Sequence, residues 1–383
     1  ADHAITRSAS VLVSANLLSR VFGLIRDIVT ASYFGTSSAM SAFVVAFTIP
    51  NLFRGLFGEG AFSAAFIPVL SRRLHQGGKE DAWKTACTAI TVMAVVLSGI
   101  VLLLMPLCLL LRPVALHFDK PVLTQALTYL PAMLPYAVLV CVTAAFTGVL
   151  NTFSRFGIPS LNQIIFNLVT ILVVLFVCPR FDPGTGIWIL VAAVVAAGVL
   201  QVVFQAAVCH HYEKLKFQPR FAPADAEIQE IARLMGPIVF AIGIFQINTL
   251  ISRTIGGALG AEATNSLYYS QQLVHLPIGL FAIALSQLCL PSLSRAWAAD
   301  DGQAIQQTLD FSVRQVLFLT LPATALLCGA GDLVLCVLYK SGKFNDPAVF
   351  ATLKPLACLL PAIPAYALVK IFDTSFHARK DTT

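Results

Sequence analysis

Long apolar stretches, separated by short joints, run along almost the whole of this chain. The hydrocarbon core of a bilayer is about 30 Å thick, and a helix of about 20 apolar residues crosses it. Ten stretches qualify: 8–33, 40–72, 83–111, 123–151, 158–178, 185–209, 229–255, 264–295, 304–330 and 350–377. They are too long and too continuously apolar for barrel strands, so they read as helices, which satisfy their own backbone hydrogen bonds in lipid. Pro and Gly mark the joints, as at Phe34-Gly35, Gly77-Gly78, Arg112-Pro113 and Gly256-Gly257. Composition removes the soluble alternative. Charged residues make up 11% of the 383 and hydrophobic ones 57%, against about 25% and about 45–50% in soluble domains. A soluble enzyme, a disordered chain and a nucleic-acid binder are excluded. The net charge of +6 lies in short loops and not in one patch. Nine cysteines are scattered through apolar stretches without a CxxC pair and read as small hydrophobes, not as a disulfide frame or metal site. The expected fold is an all-α polytopic membrane protein.

Loop charges set the orientation. With the N-terminus inside, the inner segments hold 12 Lys and Arg and the outer ones 6. The expectation is a cytoplasmic N-terminus.

A repeat organises the spans. Ile67-Pro68-Val69-Leu70-Ser71-Arg72 returns 223 residues later as Leu290-Pro291-Ser292-Leu293-Ser294-Arg295. Gly35 and Ser41 match Gly260 and Ser266 at 225, and Arg155 matches Arg379 at 224. Asn16 with Ser19-Arg20 is echoed by Asn248 with Ser252-Arg253, and Leu134-Pro135 by Ile363-Pro364. Spans 1–4 therefore return as spans 7–10. Six helices, an even number, separate equivalent points, so the copies are parallel, related about the membrane normal. Residues 1–228 form an expected N-terminal lobe of six helices. Residues 229–383 form the first four helices of a second lobe, whose remainder is expected beyond Thr383. Such lobes place a substrate near the midplane between them.

Ionisable residues at bilayer depth cost at least about 2.5–3.5 kcal/mol and mark function or pairing. The first span holds Arg20, Arg26 and Asp27; the second holds Arg54 and Glu59. Three arginines against two carboxylates suit an anion, and the planar guanidinium fork fits phosphate. Arg20 and Asp27, seven apart, share a helix face, so an Arg20–Asp27 pair and an Arg54–Glu59 pair are the structural alternative. Pro50, Gly55, Gly58 and Gly60 around Arg54 permit a bend or close backbone approach. Lys370 and Asp373 are spaced to pair. Arg253, Gln271 and Gln272 are weaker candidates in the second lobe. No nucleophile–base pair, phosphate loop or metal-ligand spacing is present, so neither catalysis nor a metal is expected.

The run Pro50-Asn51-Leu52-Phe53-Arg54 into Gly58-Glu59-Gly60-Ala61-Phe62-Ser63 and Phe66-Ile67-Pro68 resembles the signature of the MurJ/MviN lipid II flippases. Ser19-Arg20-Val21-Phe22-Gly23-Leu24-Ile25-Arg26-Asp27, Leu150-Asn151-Thr152-Phe153 and Tyr268-Tyr269 agree with it. The resemblance covers the whole chain. It implies the multidrug/oligosaccharidyl-lipid/polysaccharide exporter superfamily: a two-lobe, parallel-repeat transporter bundle, with about ten of an expected fourteen helices present. It also implies translocation of undecaprenyl-pyrophosphate-linked peptidoglycan precursor by alternating access. Arg20, Arg26 and Arg54 then match the arginines that bind pyrophosphate, and Asp27 and Glu59 match acidic positions. Asn51 lies in the same signature. Many members carry an acidic residue at Ser41, a basic one at Thr48 and Arg at Gly55. In the eighth span they carry an Asp-Arg pair in place of Gln271-Gln272. A divergent member is implied, with lipid II or a related polyprenyl-pyrophosphate glycan and the bilayer as partners, no nucleic acid, a monomeric state and no cofactor. Drive would come from the membrane potential or a monovalent cation at Asp27 or Glu59. The alternatives are a cation-coupled exporter on the same architecture and a non-transporting paralogue acting as a membrane scaffold. The arginine excess disfavours the exporter.

Overall fold

A computed structural model describes residues 2–379 apart from 59, 60, 154, 156, 160, 214 and 215; side chains are described from Leu18 onward, except at 58, 213, 245 and 377. Glu59, one of the expected site residues, therefore lies outside the described residues. All regular structure among the described residues is helical. Twelve α-helices run in order: α1 Asp2–Phe34, α2 Ser38–Phe53, α3 Ala61–His117, α4 Pro121–Thr152, α5 Leu161–Leu172, α6 Pro183–Glu213, α7 Ala226–Leu259, α8 Ala261–Pro277, α9 Ala284–Ala298, α10 Gly302–Tyr339, α11 Asp346–Leu359 and α12 Ala362–Arg379.

Among the described residues seven helical stretches are long and apolar enough to cross a bilayer, or eight if Asp346–Leu359 and Ala362–Phe376, bent by 45°, make one crossing. One of them, Ser38–His117, has 80 residues. At about 1.5 Å per residue it would be several times too long for one crossing of about 30 Å. Its backbone breaks at Gly78 (φ 75°, ψ −171°), a left-handed position that favours glycine, so it supplies two of the expected spans. α1, which carries Arg20, Arg26 and Asp27, is the tenth. Each expected stretch thus coincides with a helix or a bent helical pair. Leu102, Leu103, Leu110, Leu116 and Phe118 are each 66–76% exposed. A run of that size belongs in lipid, not water.

The repeat reaches into backbone detail. α1 ends at Gly35 (φ 58°) and α7 at Gly260 (φ 116°), both left-handed. Between α2 and α3 the chain makes a π-helical turn, Arg54–Gly58; between α8 and α9 it makes another, Ile278–Ile283. The two turns start 224 residues apart, the offset read from the sequence. A proline lies just ahead of each, Pro50 and Pro277, and removes a helical N–H donor.

The chain forms two compact units, 1–264 and 265–383. The sequence repeat puts its boundary at 228, but α7 packs with the first unit. Arg72 and Arg73 of α3 pair with Glu230 and Glu227 near its start, and Lys120 Nζ donates to the Ala258 carbonyl near its end at 3.1 Å. α4 is the centre of this unit, with α2, α3 and α6 packed on it. Met133, Leu134, Ala137, Cys141, Ala145, Val149 and Leu150 of α4 have 0% exposure. Small residues permit the approach. A Cβ at Gly148 would lie 2.9 Å from Phe66 Cδ1, and one at Gly198 of α6 would lie 2.8 Å from Tyr136 Cδ2. The second unit gathers α9, α10 and α12. The rings of Tyr269, Tyr339 and Phe344 meet at tilted and edge-on angles in its core, with centroids 5.1–5.9 Å apart. All nine cysteines are free thiols, and six are buried.

Candidate functional site

The functional side chains of the first unit converge on α5. This helix buries Phe166, Asn167, Thr170 and Ile171 along one face, and that face meets α1. Amides are costly inside a membrane unless they are hydrogen-bonded. Asn167, 1% exposed, uses both ends of its amide. Its Oδ1 accepts from Arg26 Nη1 at 3.1 Å, and its Nδ2 donates to the Ser19 carbonyl at 3.2 Å. The partners fix which end is which, because a flipped amide would turn its NH2 onto the guanidinium. Gly23 lies beside it; a Cβ there would be in ordinary contact with Asn167 Nδ2, at 3.6 Å.

The Arg26 guanidinium is held from a second side. Its Nε and Nη2 donate to Asp27 Oδ1 at 3.1 and 2.8 Å. Its Cζ lies 5.8 Å from the centre of the Phe166 ring, within cation–π range. Phe166 stacks in turn with Phe47 at 6.0 Å and lies 5.5 Å from Tyr136. Arg26 keeps 18% of its side-chain surface exposed, and Asp27 keeps 6%. The expected facing pair, Arg20 with Asp27, is replaced by Arg26–Asp27. Helix-face arithmetic follows Cβ positions, and the long Arg26 side chain turns back to its neighbour. Arg20 is half-buried and makes no hydrogen bond or ion pair among the described residues.

Arg54 opens the π-helical turn after α2. Its Nη1 donates to Gln163 Oε1 of α5 at 3.1 Å. Asn51 supplies a backbone carbonyl to the Arg54 amide, and its side chain is half-buried. Gly55 faces α7, where a Cβ would overlap the amide of Gln246. Ser41 is fully buried, and its hydroxyl donates to the Ala261 carbonyl at 2.9 Å. Thr48 bonds back to the Val44 carbonyl at 3.0 Å. The positions where the resemblance puts further charges are thus occupied by small, locally satisfied groups.

The remaining candidates lie elsewhere. Arg253 is half-buried on α7, in the first unit. Gln271 and Gln272 are half-buried on α8 and belong to the second unit. Lys370 and Asp373 pair at 2.9 Å, as their spacing predicts. No group of three His, Cys, Asp or Glu among the described residues could hold a metal ion. Gln163, Phe166 and Asn167 were missed by reading the sequence for charge. Their signal was present, since Gln163 and Asn167 are amides four residues apart in an otherwise apolar span.

α5 therefore brings together Arg26, paired with Asp27, and Arg54, each bonded to an amide of this helix, while Arg20 makes no hydrogen bond or ion pair with them among the described residues. Guanidinium groups so placed are donors of the kind that phosphate accepts.

Residues 30–383 match the family described as lipid II flippase MurJ. The chain is 32% identical over 387 residues to a probable lipid II flippase MurJ of Haemophilus influenzae, covering 96% of this chain and 74% of that protein. It is 32% identical over 372 residues to the lipid II flippase MurJ of Burkholderia cenocepacia, covering 95% and 72%. The fold is similar to a solved lipid II flippase MurJ in an inward closed conformation, with TM-score 0.76, 23% identity and coverage of 97% of this chain and 76% of that one. It is also similar to an inward-facing multidrug resistance transporter of the MATE family in the MOP superfamily, with TM-score 0.78, 13% identity and coverage of 97% and 85%. The chain spans about three quarters of the length of the curated relatives it matches. With the family match running from the end of α1 to residue 383 and the described architecture agreeing, this chain belongs to the MurJ lipid II flippase family.

Proposed function

We propose that this protein moves a polyprenyl-pyrophosphate-linked peptidoglycan precursor, lipid II or a close relative, across the bacterial cytoplasmic membrane by alternating access. Arg20, Arg26 and Arg54 bind the pyrophosphate. The observation that carries this reading is that Arg26 of α1 and Arg54 of the π-helical turn, both in apolar helical stretches, meet on α5. A pyrophosphate headgroup does not cross about 30 Å of hydrocarbon unaided, and fixed guanidinium groups offset its lost hydration. The polyprenyl tail stays in lipid. The names borne by relatives at 32% identity support the same substrate class. The N-terminus is cytoplasmic, on the Lys/Arg balance of the loops, and the protein acts as a monomer. Drive comes from the membrane potential, worth about 2.3 kcal/mol per charge per 100 mV, or from a monovalent cation at the acidic positions.

The test is genetic. Cells depleted of their own lipid II flippase receive the gene encoding this chain, as wild type, Arg26→Ala or Arg54→Ala. Growth with the wild type and lysis with either variant is the expected result. Growth with both variants overturns the pyrophosphate role. The Gln271-Gln272 departure favours one further reading, a scaffold that no longer transports; failure of the wild type to sustain growth, with normal membrane insertion, would favour it.

A further inference from the structure

A second polar cluster lies where α6 meets the start of α5 and the last turns of α4. Gln201 and Gln205 stand one turn apart on α6 and are 3% and 0% exposed, so they share a buried helix face. Gln201 Nε2 donates to the Asn162 carbonyl of α5 at 2.7 Å, and Asn162 Nδ2 donates to Thr147 Oγ1 of α4 at 3.4 Å. These bonds draw three helices together and leave a remainder. Asn162 Oδ1, Gln201 Oε1 and both ends of the Gln205 amide are buried, with no hydrogen-bond partner among the described residues. All lie in apolar spans, where an unsatisfied amide is costly. The remainder is lopsided, with three oxygens against one NH2. Turning the Gln205 amide over exchanges its two ends and leaves that count unchanged. The Asn162 carbonyl fixes the NH2 of Gln201.

We propose that Asn162, Gln201 and Gln205 bind a monovalent alkali cation between α4, α5 and α6. An excess of orphaned oxygens calls for a guest that takes up lone pairs, and neutral carbonyl oxygens can replace the hydration shell of such an ion. Sites for calcium and magnesium draw on carboxylates, and the residues of this cluster carry none. Neutral oxygens therefore suit a single charge. The Thr147 hydroxyl has a second lone pair to offer. The ion fastens three helices of the first unit at a point apart from Asp27 and Glu59, and Asn162 directly precedes Gln163, the partner of Arg54. The rival guest is a buried water, which also satisfies orphaned amides and is indifferent to which salt surrounds the protein.

Salt identity separates the two. The experiment uses the intact protein in lipid nanodiscs and records its melting temperature in sodium, potassium or choline chloride at equal ionic strength. A ligand that binds only the folded state stabilises it by mass action. One of the two alkali cations is therefore expected to raise the melting temperature by about 2–5 °C over choline. Gln205→Leu replaces the amide by an apolar group of similar size and is expected to abolish that rise. Its melting temperature in choline should be unchanged or higher, because an orphaned amide has been removed. Gln201→Leu is expected to lose the rise too, and to lose stability in choline with its Asn162 bond. Gln205→Glu keeps an oxygen and adds a charge, so its apparent cation affinity is expected to rise about tenfold or more. Asp27→Asn should keep the salt-dependent rise.

Equal wild-type melting temperatures in the three salts overturn the proposal and leave the cluster to buried water. A rise that survives both leucine variants also overturns it, and its loss in Asp27→Asn then places the ion at that carboxylate. Should a leucine variant fail to fold, Gln205→Glu decides: a cation affinity no higher than that of wild type overturns the proposal. The pyrophosphate role of Arg26 and Arg54 is read from lipid binding and growth, so it stands or falls separately.

Discussion

Asp27→Asn gives two effects of opposite sign, and the geometry fixes both. Asp27 Oδ1 takes two hydrogen bonds from Arg26, at 3.1 and 2.8 Å, with only 6% of its side chain exposed. Two unit charges about 4 Å apart attract by about 4 kcal/mol at an effective dielectric of about 20. Removing the carboxylate also removes its desolvation cost, and the amide keeps a neutral acceptor. The net loss of stability is therefore about 1–3 kcal/mol, read as a fall in the melting temperature of the purified protein. Ligand affinity moves the other way. Arg26 loses the carboxylate that balances its charge, while Asn167 still orients it. Binding of undecaprenyl pyrophosphate is expected to tighten by severalfold, and growth complementation to fall because release is slower. Weaker binding in Asp27→Asn, comparable to that of Arg26→Ala, would refute the reasoning and make Asp27 itself a ligand or counter-ion contact. An unchanged melting temperature would refute the ion pair.

Further outcomes follow from packing and titration. Gly198→Ala places a Cβ 2.8 Å from Tyr136, which is 3% exposed and lies 5.9 Å from Phe47 and 5.5 Å from Phe166. It is expected to cost about 1–3 kcal/mol, whereas Gly99→Ala meets nothing within 4 Å and is expected to be neutral or slightly stabilising in the same thermal assay. At the start of α6, Asp182 accepts from the Thr185 hydroxyl at 2.7 Å and its amide at 2.9 Å. The hydroxyl bond, followed by the amide bond, holds its carboxyl below the usual range. A depressed value stabilises the fold above the unfolded pKa of about 3.9, and that contribution is lost as pH falls through the folded value. Asp182→Ala should lower the melting temperature at pH 7, and the gap should close below about pH 4. Lys340 has the reverse sign: its hydrogen bond and charge contact with Asp346 raise its pKa. Lys340→Met should lose stability at pH 7, and the deficit should vanish only as pH rises past the folded value of the lysine.

The helices were legible because lipid makes the rule simple: apolar length sets a crossing, and glycine or proline sets its end. Gly35 and Gly260 were visible as repeat partners and proved to be the left-handed ends of α1 and α7. The bend expected around Arg54 from Pro50 and Gly55 became a π-helical turn, and its twin at Ile278–Ile283 carries the same Gly-Leu-Phe, Gly279-Leu280-Phe281 against Gly55-Leu56-Phe57, a match at the repeat offset of 224 missed by reading for charged and proline landmarks. At the site, charge located Arg26, Arg54 and Asp27 on single helices. Which partner each takes depends on helices brought together across 109 and 141 residues, and periodicity carries no information about that. Hence Arg20–Asp27 was a reasonable reading of one helix face, and Arg26–Asp27 with Asn167 is what packing selects. The grouping of α7 with the first unit was hidden for the same reason. It rests on Arg72, Arg73 and Lys120 meeting groups more than a hundred residues away.

The central claim is that guanidinium groups on α1 and the π-helical turn receive a pyrophosphate. The most direct measurement is the affinity of the nanodisc-embedded protein for undecaprenyl pyrophosphate against undecaprenyl monophosphate, for wild type, Arg26→Ala and Arg54→Ala. The account predicts that wild type prefers the pyrophosphate and that each alanine variant weakens its binding and narrows the preference. Equal affinity for the two lipids in wild type, or a preference untouched by both substitutions, would contradict it.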